Sequence, residues 1–289
     1  MPSRKMHVVM KPDIFALARS NGPDLDVRFG RKRADAGVNA PLLDEFCSAI
    51  RDAARVTINM GSKKLTSLIA TDAYPTVYEM AREEAARTGR EPEDVLRTRQ
   101  TEHYTGRVRF DRHFANGESF VYGALNLRGV GPRYYGWYCV ALKPPADEGL
   151  LALLPGNSLE LYVDDVGENV DQEGVARDAG AWSHRAQVAA CKHGEALQST
   201  DPVHWPDMIC SPDKNEQRFI EAILGDTVSR TQIEEIRIAT DDAASLQRLL
   251  LRGLMGEALA PDERLEHEGQ INVLEALAHS GLTSLYREV

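Results

Sequence analysis

Two β-patterned runs joined by a short turn do most to limit what this chain can fold into. Residues 120–128 read FVYGALNLR and residues 133–142 read RYYGWYCVAL. In the first run, Val121, Gly123, Leu125 and Leu127 alternate with Tyr122, Ala124, Asn126 and Arg128. Strand geometry sends the two sets to opposite faces. A Gly-Val-Gly-Pro break at residues 129–132 connects the runs, so the pair reads as a β-hairpin.

The flanks are mixed. Residues 1–40 are polar and interrupted by Gly22, Pro23, Gly30 and Gly37, which predicts a loosely structured N-terminal arm. Leu43, Phe46, Ile50 and Ala54 then recur at helical spacing. Residues 76–99, rich in Ala, Glu and Arg, read as helix broken at Gly89 and Pro92, and such a polar insert is expected outside the sheet. Residues 158–163 (SLELYV) read as a strand before the acidic loop 164–178. Residues 180–213, with Pro202, Pro206 and Pro212, read as a surface excursion. Beyond Thr240 the leucines at 246, 249, 250 and 254, and then Ile271, Leu274, Leu277 and Ala278, return to helical period.

Strands scattered between helices around a hairpin-rich centre predict an α+β fold. The expected organisation is an arm at 1–40, an α+β core at 41–240 and a helical C-terminal extension at 241–289. A doubly wound nucleotide fold is not expected. The nearest approach to its glycine fingerprint, Gly129 and Gly131, lies in a turn between strands instead of between a strand and a helix.

A net charge of −10 over 289 residues argues against a broad nucleic-acid-binding face. Two basic clusters, Arg28, Arg31, Lys32 and Arg33, then Arg107, Arg109 and Arg112, leave a local patch open but read first as solvated loop charges. Cys47, Cys139, Cys191 and Cys210 lie far apart with no paired spacing, which fits reduced thiols. No apolar run approaches the ~18 residues of a membrane span, so no membrane association is expected. The N-terminus has no apolar signal core, so the expected location is the cytoplasm, or a host or competitor cell reached by a non-Sec route.

Two distant segments carry the functional reading. In residues 55–73, a strand with Val56, Ile58 and Met60 on one side passes through Gly61 and Ser62 into an amphipathic helix bearing Leu65, Leu68 and Ile69. In residues 215–240, Glu221 opens a short apolar run, and a polar turn separates it from a strand ending at Ile238. Residues 215–224 read equally as an amphipathic helix with Glu221 on its wet side, since so short a run does not separate the two.

This layout resembles the ADP-ribosyltransferase superfamily. Residues 122–127 (YGALNL), residues 132–138 and residues 219–228 resemble landmarks of an uncharacterised bacterial domain family with a Y-G-A-L-N-L signature. The likeness covers about residues 55–240. It implies a split antiparallel sheet, NAD as substrate, and transfer of ADP-ribose to a protein or other macromolecular acceptor by a toxin or effector. It also implies Glu221 and Tyr122 as catalytic residues, with Ser62, Lys63, Asn126, Arg133 and Tyr135 around the NAD. A carboxylate beside the ribose stabilises the cationic transition state of glycosidic cleavage. Tyr135 is suited to stack on the nicotinamide, and Arg133 or Lys63 to pair with the diphosphate.

The chain departs from that pattern at Gly61, where the family carries His, and at Ile223 and Gly225, where it carries polar residues. These departures frame the alternative: a catalytically inactive protein of the same scaffold that grips a protein partner with its C-terminal helices. The loop at residues 101–106 (TEHYTG) is placed to close over a ligand. Asp164, Asp165, Glu168 and Asp171, with His184, Cys191, His193 and His204 beyond, match neither calcium-loop nor zinc spacing, so no metal is expected. No Gly-x-Ser-x-Gly elbow occurs.

Overall fold

The structure is a computed structural model and describes residues 10–100, 103–199 and 205–289. The first two positions of the 101–106 loop, and Pro202 and His204, lie outside the described residues.

The chain is α+β. Its eight strands are β1 (Arg55–Met60), β2 (Val121–Asn126), β3 (Tyr138–Leu142), β4 (Leu151–Leu154), β5 (Gly180–Ala181), β6 (Ile220–Leu224), β7 (Ile233–Ile238) and β8 (Tyr286–Glu288). They form one open sheet in the order β5-β4-β6-β2-β1-β3-β7-β8. Every neighbouring pair is antiparallel except β7 and β8. The sheet is therefore continuous and mixed, where a split antiparallel one was expected. Both edges are short, two residues in β5 and three in β8, which leaves little unpaired backbone to recruit another chain.

The central hairpin does not form. β1 lies between β2 and β3, pairing Val56 with Leu125 on one side and Ile58 with Val140 on the other. β1 is buried from Val56 to Met60, and an apolar strand of this kind gains most at the centre of a sheet. Residues 127–137 cross its end, a step of about 10 Å for two strand spacings. Asn59 Nδ2 secures the crossing by donating to the carbonyls of Val130 (2.9 Å) and Gly136 (3.2 Å).

Three local expectations are corrected. Among the described residues, from 10 on, the stretch before Leu42 is not loose: helices Ile14–Ser20 and Gly22–Asp35 occupy it. Asp13 caps the first by accepting the Phe15 N–H, and Pro23 falls in the first turn of the second, where its missing N–H breaks nothing. Residues 158–163 begin as helix Ser158–Tyr162, because Asn157 accepts the Leu159 N–H at 3.1 Å and starts a turn. The described residues of 180–213 are not a surface excursion. They contribute β5, the largely buried helix Arg185–His193 and helix Trp205–Ile209.

Other elements follow their period. Helix Ala40–Ala53 buries Leu43, Phe46 and Ile50. Helices Val77–Thr88 and Pro92–Gln100 separate at Gly89, which takes a left-handed φ of 68°. Helices Thr240–Leu254 and Pro261–Ser280 follow β7, but the chain then returns to the sheet as β8, so the extension is not purely helical.

Hydrophobic cores cover both faces of the sheet. The larger holds Phe46, Ile50, Val56, Ile58, Leu65, Leu68, Leu125, Val140, Ile220 and Ile236. The smaller, on the opposite face, holds Ile14, Phe15, Phe110, Phe114, Phe120, Leu154 and Ile223. Among the described residues no helix is long and apolar enough to cross a membrane.

Candidate functional site

Strand register builds the site. Thr57 pairs with Ala124, Ala124 with Glu221, and Glu221 with Leu154. Paired residues point to the same face, so these side chains form one row across β1, β2, β6 and β4. Ala124, the small member, is fully buried in this row between Thr57 and Glu221. Residues two positions along, Asn59 on β1 and Tyr122 on β2, extend the same face. The strand alternative for Glu221 therefore holds, and the helical one does not.

Above this row lies a cavity of about 250 Å³. Thr57, Asn59, Tyr122 and Glu221 line its floor, Phe120, Tyr135 and Phe219 add aromatic surface, and Lys64, Tyr74, Gln100 and Arg107 close its sides. Its volume falls just under the ~300–1,000 Å³ of small-molecule sites, enough for one end of a dinucleotide.

The electrostatics centre on Glu221, which is 3% exposed. Its Oε2 accepts the backbone N–H of Ser158 at 3.0 Å. Burial pushes its pKa up; the Arg107 guanidinium and the Ser158 bond pull against that without cancelling it. Arg107 belongs to helix Tyr104–His113. Its guanidinium lies 3.8 Å from the centroid of the Tyr122 ring, and its Nη1 is 3.7 Å from Asp111 Oδ1. Burial lowers the Arg107 pKa, but Tyr122, Asp111 and Glu221 more than offset it, so Arg107 stays charged. Tyr122 donates its hydroxyl to Asp111. Burial and the neighbouring Asp111 carboxylate hold the Tyr122 pKa well above its ordinary value, so Tyr122 acts as a neutral donor and ring surface.

Two buried polar atoms in the cavity lining make no hydrogen bond, Arg107 Nη1 and Asn59 Oδ1, although the former is in ion-pair range of Asp111. Buried polar atoms are ordinarily hydrogen-bonded. One donor and one acceptor left over in the same cavity fit a polar ligand with both functions.

Of the residues expected at the site, Glu221, Tyr122 and Tyr135 share the cavity, and four others are placed elsewhere. Ser62 is buried under helix Pro261–Ser280, donating to Glu266 Oε1 at 2.6 Å. Lys63 is exposed on the outer side of helix Ser62–Thr71; its neighbour Lys64 reaches the cavity. Asn126 lies on the correct strand face, but its amide is closed off by Gly129, donating to the Gly129 carbonyl (3.0 Å) and accepting its N–H (2.8 Å). Arg133 pairs with Asp241 and Asp242 at the start of helix Thr240–Leu254 (2.7 and 2.8 Å).

Sequence reasoning missed Arg107, Asp111, Lys64, Thr57 and Asn59. Arg107 read as one of three solvated arginines. The available signal was its place one turn before Asp111, beside the apolar pair Phe110 and Phe114. The 164–171 acidic loop serves its own turns: Asp164 accepts the Glu168 N–H (2.7 Å) and Asp171 the Gly174 N–H (2.8 Å). Among the described residues no cluster of three or more His, Cys, Asp or Glu is placed to hold a metal.

No protein-family model matches the chain, and no curated protein matches it either.

Proposed function

We propose that the protein is an NAD-dependent ADP-ribosyltransferase-like enzyme, a bacterial toxin or effector that modifies a macromolecular acceptor. The observation carrying this reading is the sharing of one cavity by Glu221, Arg107, Tyr122 and Tyr135, with Thr57 and Asn59 of β1 on its floor. Aromatic walls suit a planar nicotinamide ring. Arg107 Nη1 and Asn59 Oδ1 suit a carboxamide or ribose hydroxyl, and Lys64, lying 3.4 Å from the Tyr74 hydroxyl, supplies a cation at the side. The ADP-ribosyltransferase-like arrangement of the core belongs to the same proposal.

NAD supplies the bond that breaks, between the nicotinamide nitrogen and the ribose carbon. Nicotinamide leaves with the bonding electron pair, the acceptor's lone pair forms the new bond, and the acceptor gives up its proton. Glu221 in its ionised form hydrogen-bonds the ribose and stabilises the positive charge that develops on it, an effect strengthened by exclusion of water. Tyr122 and Tyr135 hold the leaving group. Because the Glu221 pKa is raised, the rate should climb with pH through a midpoint above the ordinary glutamate value.

The test is nicotinamide release from NAD by the full chain, alone and with cell lysate as acceptor source, compared with Glu221→Gln. A fall of about a hundredfold or more is expected, the scale of losing one electrostatic stabiliser, with NAD affinity little changed. Full activity in the variant, or no NAD binding by the natural chain, would remove the reading.

One observation favours the alternative of a non-catalytic binding protein. Leu251, Leu254, Met255 and Leu265 on the two C-terminal helices are more than half exposed, an apolar surface of the sort that meets partners. Binding of a protein without any NAD turnover would establish it.

A further inference from the structure

Behind the cavity sits a buried carboxylate to which the reaction above gives no role. Asp111 is 1% exposed and lies near the end of helix Tyr104–His113. The chain closes tightly on it: a Cβ at Gly117 would come within 1.7 Å of the Asp111 carbonyl oxygen. Its Oδ2 accepts the Tyr78 hydroxyl at 2.9 Å, and its Oδ1 accepts the Tyr122 hydroxyl and faces Arg107. Two parts of the cavity, the Tyr122 ring and the guanidinium stacked on it, are thus anchored to one side chain.

Arg107 has two buried carboxylates to choose between. It forms a salt bridge with Asp111, and among the described residues none with Glu221. The other groups facing Glu221 are Ser158 from helix Ser158–Tyr162, Tyr122 from β2, Tyr135 from the β1-crossing loop, Tyr162 and the Asp111 carboxylate itself, which repels it. None of these is a cation. A freed guanidinium would close on Glu221, because the attraction between unlike charges grows steeply at short range in a low dielectric.

We propose that Asp111 is a positioning residue: it holds Arg107 over the Tyr122 ring and away from Glu221, so that the Glu221 carboxylate stays open to the substrate. The inference rests on the reading of Glu221 as the substrate-facing carboxylate. It assigns to the helical insert between β1 and β2 the setting of the charge state of β6.

The test uses the full chain and follows the Glu221 carboxyl directly, by infrared titration of ¹³C-glutamate-labelled protein, with Glu221→Gln identifying the band. Asp111→Asn keeps the shape and removes the charge. Its Glu221 midpoint should fall by about 1–3 pH units, the effect of a cation coming into contact. In an Arg107→Met background the same Asp111→Asn change should move the midpoint far less, since there is no guanidinium left to release. With NAD as substrate, Asp111→Asn should lower kcat by about a hundredfold, the scale of a misplaced active group, and leave KM nearly unchanged.

Equal midpoint shifts in the two backgrounds would mean direct charge repulsion and overturn the proposal, as would no shift at all. If Asp111→Asn does not fold, Tyr78→Phe removes one of the two hydroxyls that seat Asp111. A downward midpoint then supports the proposal, and an unmoved one overturns it. The two readings fail separately: a natural chain that leaves NAD intact defeats the proposed reaction while the Glu221 midpoint still tests Asp111, and NAD turnover with an immobile midpoint defeats Asp111 alone.

Discussion

The Arg107 guanidinium lies over the Tyr122 ring, 3.8 Å from its centroid, although one residue belongs to a helix and the other to a strand. The guanidinium is the positive charge beside two buried carboxylates, Glu221 and Asp111. Arg107→Met should therefore lower stability by about 3–5 kcal/mol, the cost of leaving a buried charge unpaired. Arg107→Lys should recover part of that, because it restores the charge but neither the planar stack nor the forked donors. Urea denaturation checks both, and a loss under about 1 kcal/mol in Arg107→Met would mean that other groups supply the compensation.

Glu221→Gln should stabilise the fold at neutral pH while it removes the activity. The folded-state pKa of Glu221 is raised, so folding favours protonation of this group relative to the unfolded chain. Its contribution is full below the ordinary glutamate value and is lost as pH rises through the folded value. The variant should melt above the natural chain at pH 7, and the gap should narrow as pH falls toward 4.5, the ordinary value. A variant less stable than the natural chain at pH 7 would contradict this.

His193 gives a pH dependence of opposite sign. Burial, with help from Lys192 and Arg218, pushes its pKa down from 6.5 to about 3, so the folded chain holds it neutral. That contribution is present above the unfolded value and is lost as pH falls toward the folded one. The fold should lose on the order of 4 kcal/mol from this residue between pH 6.5 and about 3. His193→Gln should flatten the acid limb of a stability-against-pH curve, and an unchanged limb would place the acid sensitivity elsewhere.

Gly136 tests the loop that carries Tyr135. Its φ is 146°, and a Cβ there would fall 2.3 Å from the Met60 carbonyl carbon. Gly136→Ala should strain the backbone by about 1–3 kcal/mol and push the loop off the end of β1. Because Tyr135 lines the cavity, the affinity for NAD should weaken more than kcat does. Calorimetric melting and NAD titration read the two effects, and a variant with natural stability would show that the loop has room to give.

Much of the local structure was legible because period and caps act over a few residues. Alternation in residues 120–128 correctly put Tyr122 and Ala124 on the face opposite Leu125, and helical spacing placed Leu43, Phe46 and Ile50 in the core. Gly89 and Pro92 ended and began helices where they stand. Where local signals competed, the weaker-looking one sometimes prevailed. Asn157 turned an apparent strand into a helix start, and Pro23 opened a helix instead of excluding one.

What no local pattern contains is partnership. A strand's sequence states which side chains share a face, and nothing in it states which strand lies alongside. β2 and β3, joined by a turn, were parted because β1 buries better between them. The same pairing set Thr57, Ala124 and Glu221 in one row under the cavity. Asn126 had the right face and still lost the cavity to Gly129, and Arg133 was drawn to Asp241 and Asp242, more than a hundred residues away. The amino-acid sequence by itself determined the α+β character and the helix and strand faces, and left Glu221 open between a strand and the wet side of a helix until the sheet placed it in β6. Tertiary structure alone decided that Arg107 and Asp111 would stand over it, because long-range pairing and desolvation depend on the whole sheet and not on any stretch of chain.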